Sequence, residues 1–141
     1  MVDKEVIQER LKQLSICIGK ITKFRQLSFE KFLDDDLAQD VIEYNLFQSI
    51  NLMIDIASHI VVDNNLGKPT KLADVFGILY KEKYLNDKQL SVYKNMVGFR
   101  NILSLEYINI DKVIVYKIMQ ENLNDLNEFI LLVNDNFIYE D

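Results

Sequence analysis

The sequence predicts an all-α protein, folded as an antiparallel up-and-down bundle of about five helices. Its 141 residues include only one Pro and four Gly, so few positions break a helix. Apolar residues recur at three- and four-residue spacing, which is typical of amphipathic helices. The connections between the long periodic segments are short, and short connections favour antiparallel neighbours. A chain of this length with 49% hydrophobic residues suits one domain with one core.

The first predicted helix runs from about Asp3 to Gln26. Asp3 is a plausible N-cap, because a carboxylate there can accept from the unpaired amides of the first turn. The apolar stripe of this segment is formed by Val6, Ile7, Leu11, Leu14, Ile18, Ile21 and Phe24. We expect this stripe to face the core.

The second predicted helix covers "LAQDVIEYNLFQSINLMIDIASHIVVDNN". The acidic run Asp34–Asp36 precedes it, and carboxylates at that position favour helix capping over a metal site. The helix is apolar on more than one side, which predicts a place at the centre of the bundle or at a subunit contact.

Three further helices complete the predicted bundle. "LGKPT" breaks the second helix, a short third helix covers residues 71–84, and the fourth begins near Asp87. A turn at "INID" leads into a fifth helix over residues 111–133. We predict a single domain over residues 1–133, followed by a C-terminal tail over residues 134–141.

Composition excludes several classes of function. The net charge is −6 and no Lys/Arg cluster occurs, so binding to extended DNA is not expected. One Cys, Cys17, excludes a disulfide framework and is expected as a small buried side chain, and with one His the chain lacks the ligands of a structural zinc site. No cofactor-binding motif occurs, so no cofactor is expected. No apolar run approaches the roughly 20 residues of a membrane span, which favours a cytoplasmic protein without membrane partners.

The stretch "GFRNILSLEYINID" contains the most informative residue, Arg100. On a helical wheel it shares a face with Tyr93, Met96, Leu103 and Tyr107. A guanidinium cannot be neutralised, so it needs a carboxylate, carbonyl groups or an anionic ligand when it is partly buried.

Two hypotheses follow for Arg100. The first is an internal ion pair with an acidic residue of another helix, such as Asp55 or Glu43. The second is a recessed phosphate clamp, because the planar guanidinium can hold two phosphate oxygens at once. The sequence leaves both open.

The segments "MVGFRNILSLEYINID" and "NLMIDIASHIVVDNNLGKPT" resemble the HepT-like group of the HEPN superfamily over nearly the whole chain. The resemblance implies a HEPN-like homodimer and a metal-independent endoribonuclease toxin of the HepT/MntA toxin–antitoxin type. It also implies an MntA-like minimal nucleotidyltransferase antitoxin as partner and RNA as substrate.

The family motif is Arg, a polar residue that is commonly Asn, a few residues, His, and Tyr two positions after the His. Arg100, Asn101, Glu106 and Tyr107 match it, and Leu105 occupies the position of the His. In the family the His is the general base for the 2′-hydroxyl and the Arg stabilises the phosphate. Because a leucine accepts no proton, we expect weakened or absent cleavage; the alternative is a non-catalytic binding or regulatory protein that pairs with the antitoxin.

The resemblance also assigns roles around the motif. Tyr107 is the candidate acceptor for AMP units added by the antitoxin, with a packed aromatic as the alternative. His59, Ser104 and Glu106 are possible cleft-lining residues. For His59 the alternative is a structural role, since it lies in an apolar segment. For Glu106 the alternative is an exposed residue or one that pairs across the dimer.

Overall fold

The computed structural model describes residues 2–71, 74–105 and 109–139, and these ranges are helical apart from turns and connections. They contain seven α-helices and a π-helical turn, more than the five predicted helices. The elements are α1 (Lys4–Thr22), α2 (Phe29–Leu33), α3 (Asp36–Asp63), α4 (Asp74–Lys81), α5 (Asp87–Leu105), α6 (Lys112–Glu121), α7 (Leu123–Val133) and the turn Asn134–Ile138.

Side-chain caps set the starts of the first helices. Asp3 accepts a hydrogen bond from the Val6 amide at 3.3 Å, and Asp35 accepts one from the Ala38 amide at 2.9 Å. The capping role predicted for Asp3 and for the acidic run is confirmed. Ser28 caps the short helix α2 in the same way, and this helix is not among the five predicted ones.

Helix α3 forms the centre of the bundle, as predicted. It packs against α1, α2, α4, α5, α6 and α7, and its apolar side chains fill the core. Contrary to the expectation that no segment approaches a membrane span, α3 alone among the described helices is long and apolar enough to cross a membrane. However, 56% of that window is buried inside the fold, as expected for a core helix. Asp3 before α1 meets Asp63, and Arg10 meets Asp55, so α1 runs antiparallel to α3. Arg100 of α5 meets Asn51, and Ser104 shares a groove with Glu43, so α5 also runs antiparallel to α3.

Two helices end at non-glycine residues with left-handed backbone. Asn65 after α3 has φ 53°, and Lys83 after α4 has φ 67°. The amide of Leu66 donates to the Val61 carbonyl, which closes a Schellman turn. After α4 the amide of Tyr84 donates to the Leu79 carbonyl in the same way. Helix α4 therefore ends at Lys81, before the end of the predicted segment 71–84.

The predicted fifth helix is interrupted at Asn122, which separates α6 from α7. Asn122 has φ −116° and ψ 0°, and its side-chain amide donates to Asp125 at 2.8 Å. The Asn122 carbonyl accepts from the amides of Asp125 and Leu126, so a new helix begins at this residue. Gln120, just before it, exchanges two hydrogen bonds with the backbone and side chain of Arg25 and so ties α6 to the end of α1.

The chain after Val133 continues the fold. Phe137 and Ile138 are buried, and the Phe137 ring lies 4.8 Å from the Tyr84 ring, centroid to centroid. The tail predicted for residues 134–141 is therefore wrong as far as residue 138, because two apolar side chains anchor this turn to the body of the protein.

An aromatic cluster fixes α5, the helix that carries the motif. Tyr93 is fully buried and packs edge-to-face on Phe129 of α7, with Phe76 of α4 beside both. Burial raises the pKa of Tyr93 well above its usual range, so the phenol stays neutral. Arg100 lies two helical turns beyond this anchor.

Cys17 is half-buried in α1, and burial raises the pKa of its thiol.

Candidate functional site

Arg100 lies on α5 between buried apolar residues, as the helical wheel predicts. Met96, Phe99 and Leu103 around it are buried, and Arg100 itself is half-buried. Its guanidinium therefore lies at the boundary between the core and solvent, against the middle of α3.

Neutral groups hold this guanidinium. Its Nε donates to the side-chain oxygen of Asn51 at 2.7 Å, and its Nη1 donates to the side-chain oxygen of Asn101 at 3.0 Å. The Phe47 ring lies beneath it, 5.3 Å from Cζ to the ring centroid, which is a cation–π distance. Within residues 2–71, 74–105 and 109–139, no acceptor binds Nη2.

The two carboxylates considered as ion-pair partners are engaged elsewhere. Asp55 accepts from Nε of Arg10 at 2.7 Å. Glu43 is 1% exposed and pairs with Lys112 at the start of α6. The internal ion pair between Arg100 and either residue is thus not formed, and no carboxylate within the described ranges of the chain binds the guanidinium.

The residues after Arg100 continue along an exposed face of α5. Asn101, Ser104 and Leu105 are exposed, and the Ser104 hydroxyl donates to the Asn101 carbonyl at 3.1 Å. Leu105, at the histidine position of the motif, is 84% exposed and ends the helix. Glu106 and Tyr107 lie outside the described residues, so their predicted places are not compared with the structure.

His59 is not brought to Arg100 within the chain. It lies two turns beyond Asn51 on α3, about 12 Å along the axis at 1.5 Å per residue. Its Nε2 is 3.7 Å from Asp55, whose other oxygen binds Arg10. His59 therefore belongs to a separate polar cluster between α1 and α3.

A groove opens between α3 and α5 on one side of Arg100. It has a volume of about 370 Å³ and is lined by Glu43, Tyr44, Phe47, Leu103 and Ser104. We call it the α3–α5 groove. Ser104 lines this groove, and its predicted place in a cleft of the homodimer stays a prediction.

Sequence reasoning missed Asn51 and Phe47, which hold the guanidinium. The available signal was their spacing: Glu43, Phe47, Asn51 and Asp55 follow one another every four residues along one face of α3. That pattern identifies the face of α3 that meets Arg100, but not the helical turn at which the two meet.

The arrangement around Arg100 is suited to one phosphate oxygen or another small anion. None of the described groups around Arg100 is a histidine.

Comparison with known proteins connects this site to a family. The family model described as "Ribonuclease HepT-like" matches residues 14–133. The mRNA nuclease HepT of Shewanella oneidensis is 29% identical over 126 residues, which cover 89% of this chain and 94% of that protein.

Solved structures match over similar lengths. The tri-AMPylated HEPN toxin of Shewanella oneidensis, solved in complex with the MNT antitoxin, superposes with a TM-score of 0.86 at 29% identity and covers 96% of this chain and 100% of its own. The cytosolic protein YutE of Bacillus subtilis superposes with a TM-score of 0.83 over 99% of this chain and 96% of its own, and at 15% identity it shows the fold alone. Because the family model spans most of the sequence and the motif arginine lies at the site described, the chain belongs to the HepT-like ribonuclease family.

Proposed function

We propose that this protein is the toxin-family member of a toxin–antitoxin pair and that it binds RNA at Arg100 through a backbone phosphate. Its reaction class is metal-independent RNA cleavage, at a rate that Leu105 reduces. The observation that carries the proposal is the guanidinium of Arg100, which is held by two carboxamides and an aromatic ring and retains its charge. Such a group suits a phosphate oxygen, with which it forms charge-assisted hydrogen bonds.

The chemistry of the family explains the expected deficit. Attack by a 2′-hydroxyl on the adjacent phosphorus requires a group that removes the hydroxyl proton, and imidazole titrates in the right range. Leu105 has no such atom, and His59 is bound in the cluster with Asp55. Arg100 would still stabilise the phosphate, with Asn101 orienting its Nη1. Losing a positioned general base costs about 10²–10⁴ in rate.

Partners follow from the same family membership. The Shewanella toxin is found AMPylated and in complex with its MNT antitoxin. We extend this to a nucleotidyltransferase antitoxin for the present chain, to Tyr107 as the AMP acceptor, and to a homodimer that brings two Arg100 sites to one cleft. An adenylated phenol seven residues after Arg100 would bring negative charge to the phosphate site and block it. Such a pair would act on RNA in the cytoplasm.

RNA binding tests the role of Arg100. Labelled single-stranded RNA is titrated with the unmodified protein, Arg100→Ala and Lys88→Ala at one salt concentration. Lys88 is exposed on the same helix, so its removal matches the change in net charge without touching the site. We expect Arg100→Ala to lose roughly 10- to 100-fold in affinity, the value of a charged hydrogen bond, and Lys88→Ala to lose little. Equal losses in both variants would contradict a phosphate site at Arg100.

Restoring the histidine tests the reaction class. Leu105→His is incubated with labelled RNA at stoichiometric protein, and we expect cleavage to rise by about 10²–10⁴. The double variant Arg100→Ala/Leu105→His is the control and should lose this gain. If Leu105→His causes neither RNA cleavage nor growth inhibition, the site is not a cleavage site.

A non-catalytic regulatory protein is the second candidate. It is favoured by one observation, the exposed Leu105 where the family has its base. This candidate predicts RNA binding that depends on Arg100, no products at stoichiometric protein, and retained association with the nucleotidyltransferase. Cleavage products from the unmodified chain that disappear in Arg100→Ala would exclude it.

A further inference from the structure

The α3–α5 groove begins where the Arg100 site ends. Phe47 belongs to both, since its ring lies under the guanidinium and also lines the groove. Leu103 and Ser104 follow Arg100 by three and four residues, which places them about 4.5–6 Å further along the axis of α5. If a phosphate binds at Arg100, the base of the same nucleotide can therefore reach the α3–α5 groove. The volume of about 370 Å³ is in the range of ligand pockets, about 300–1,000 Å³.

Aromatic side chains form one wall of this groove. Tyr44 is 59% exposed, and its hydroxyl accepts a hydrogen bond from the Gln48 side chain at 3.1 Å, which fixes the ring. An exposed aromatic ring next to a cation is the arrangement on which single-stranded RNA bases stack. Tyr44 and Phe47 line the same groove, and the Phe47 ring lies 5.3 Å from Cζ of Arg100, so the exposed Tyr44 ring offers a base a stacking surface in the groove that Arg100 borders.

A buried acceptor lines the same groove. Glu43 is 1% exposed, and its Oε2 pairs with Nζ of Lys112. Its second oxygen, Oε1, accepts no hydrogen bond from any residue in the described part of the chain. An ionised carboxylate can only accept hydrogen bonds, so a ligand that reaches Glu43 must bring a donor.

We propose that the α3–α5 groove binds the nucleobase beside the phosphate held at Arg100, and that Glu43 selects bases with an exocyclic amino group, cytosine over uracil. This inference rests on the proposed RNA-binding function. Cytosine carries an amino group at C4 that can donate to Oε1 of Glu43, as carboxylates accept from cytosine elsewhere. Uracil carries a carbonyl oxygen at the same position, which repels the carboxylate. Its one donor on this edge is the ring N3–H beside that oxygen, so the base must shift from the position of cytosine to donate to Oε1. Tyr44 supplies the stacking surface and does not discriminate between the two.

The matched pair of ligands is oligocytidylate and oligouridylate of equal, short length. Their affinities are measured for the unmodified protein, Glu43→Gln, Tyr44→Ala and Arg100→Ala, with Glu121→Gln as the control for loss of one exposed negative charge. We expect the affinity of the unmodified chain for oligocytidylate to exceed its affinity for oligouridylate by roughly 10-fold or more, which is the contribution of one charged hydrogen bond. Glu43→Gln should bring that ratio close to one, because a carboxamide can serve either base, whereas Glu121→Gln should preserve it.

Tyr44→Ala protects the test against a folding failure, because Tyr44 is mostly exposed while Glu43 is buried beside Lys112. We expect it to weaken both ligands by roughly 5- to 150-fold, the value of stacking one base, and to keep their ratio. Equal affinity of the unmodified chain for both ligands, with binding that still depends on Arg100, would overturn base selection and leave the proposed function standing. Binding that does not depend on Arg100 would overturn both.

Discussion

Two arginines reach the same helix in almost the same way. Arg10 of α1 donates its Nε to Asp55 at 2.7 Å, and Arg100 of α5 donates its Nε to Asn51 at 2.7 Å. Asn51 and Asp55 are one turn apart on α3. The two contacts share the donor atom and the distance, and they differ in whether the acceptor is a carboxylate or a carboxamide.

That single difference is the basis for proposing a phosphate site at Arg100 and only a structural contact at Arg10. The carboxylate of Asp55 neutralises Arg10, and it also lies 3.7 Å from His59. The carboxamide of Asn51 orients Arg100 and leaves its charge intact, because an amide has no net charge to offset it. A carboxylate therefore offsets the charge of Arg10, whereas no carboxylate in the described part of the chain offsets the charge of Arg100.

The largest effect is expected from Asn51→Asp, which gives Arg100 a carboxylate acceptor like the one that Arg10 has in Asp55. We expect RNA affinity to fall by roughly 10- to 100-fold, because the new ion pair competes with the phosphate for the guanidinium. Fluorescence anisotropy with labelled RNA measures the affinity, and a thermal melt confirms that the variant is folded.

The exchange variant Asn51→Asp/Asp55→Asn is the control for net charge, since it moves one carboxylate by a single turn and keeps the total. It should bind RNA as weakly as Asn51→Asp. Recovery of full affinity in the exchange variant would attribute the loss to overall charge rather than to the partner of Arg100.

A smaller effect is expected from Phe47→Leu, which removes the aromatic ring that Arg100 has and keeps an apolar side chain. The free energy of unfolding should fall by about 1 kcal/mol, from the lost cation–π contact and imperfect repacking. Urea denaturation measures it. Phe29→Leu is a control, because Phe29 is also a partly buried aromatic packed on the core. An unfolding free energy equal to that of the unmodified protein would show that the ring contributes no stability at Arg100.

The smallest effect is expected from Asp55→Asn, which gives Arg10 the neutral partner of Arg100. Both side chains of that pair are more than a third exposed, Arg10 at 35% and Asp55 at 43%. We expect the free energy of unfolding to fall by about 0.5 kcal/mol, as for exposed ion pairs, and the loss to shrink at high salt. Urea denaturation at two salt concentrations measures it. A loss that is unchanged by salt would indicate a contribution other than charge.

Local signals explain what the sequence analysis predicted correctly. Asp3 and Asp35 cap their helices through amides three residues away, and the central place of α3 follows from apolar residues on several of its sides. The interruption at Asn122 was missed because the apolar periodicity continues through it, and only the tertiary contacts of Gln120 with Arg25 distinguish it from an ordinary helical asparagine.

The partner of Arg100 was beyond the reach of the sequence for a physical reason. Glu43, Asn51 and Asp55 lie on one face of α3, so sliding α5 by a turn or two would exchange one for another. That register is set by packing far from the motif, including Tyr93 against Phe129. The motif itself, from Arg100 to Tyr107, could be read because its spacing lies within one segment of chain.

The π-helical turn at Asn134–Ile138 determines how the protein can be shortened or tagged. Phe137 fastens the end of the chain to Tyr84, in the connection that precedes α5, and the same turn contacts α1. Ending the polypeptide at Val133 would uncover apolar surface on both neighbours and remove two buried side chains, each worth about 1.5–3 kcal/mol. Affinity handles and fluorescent reporters at this terminus therefore belong beyond Tyr139, separated by a flexible spacer.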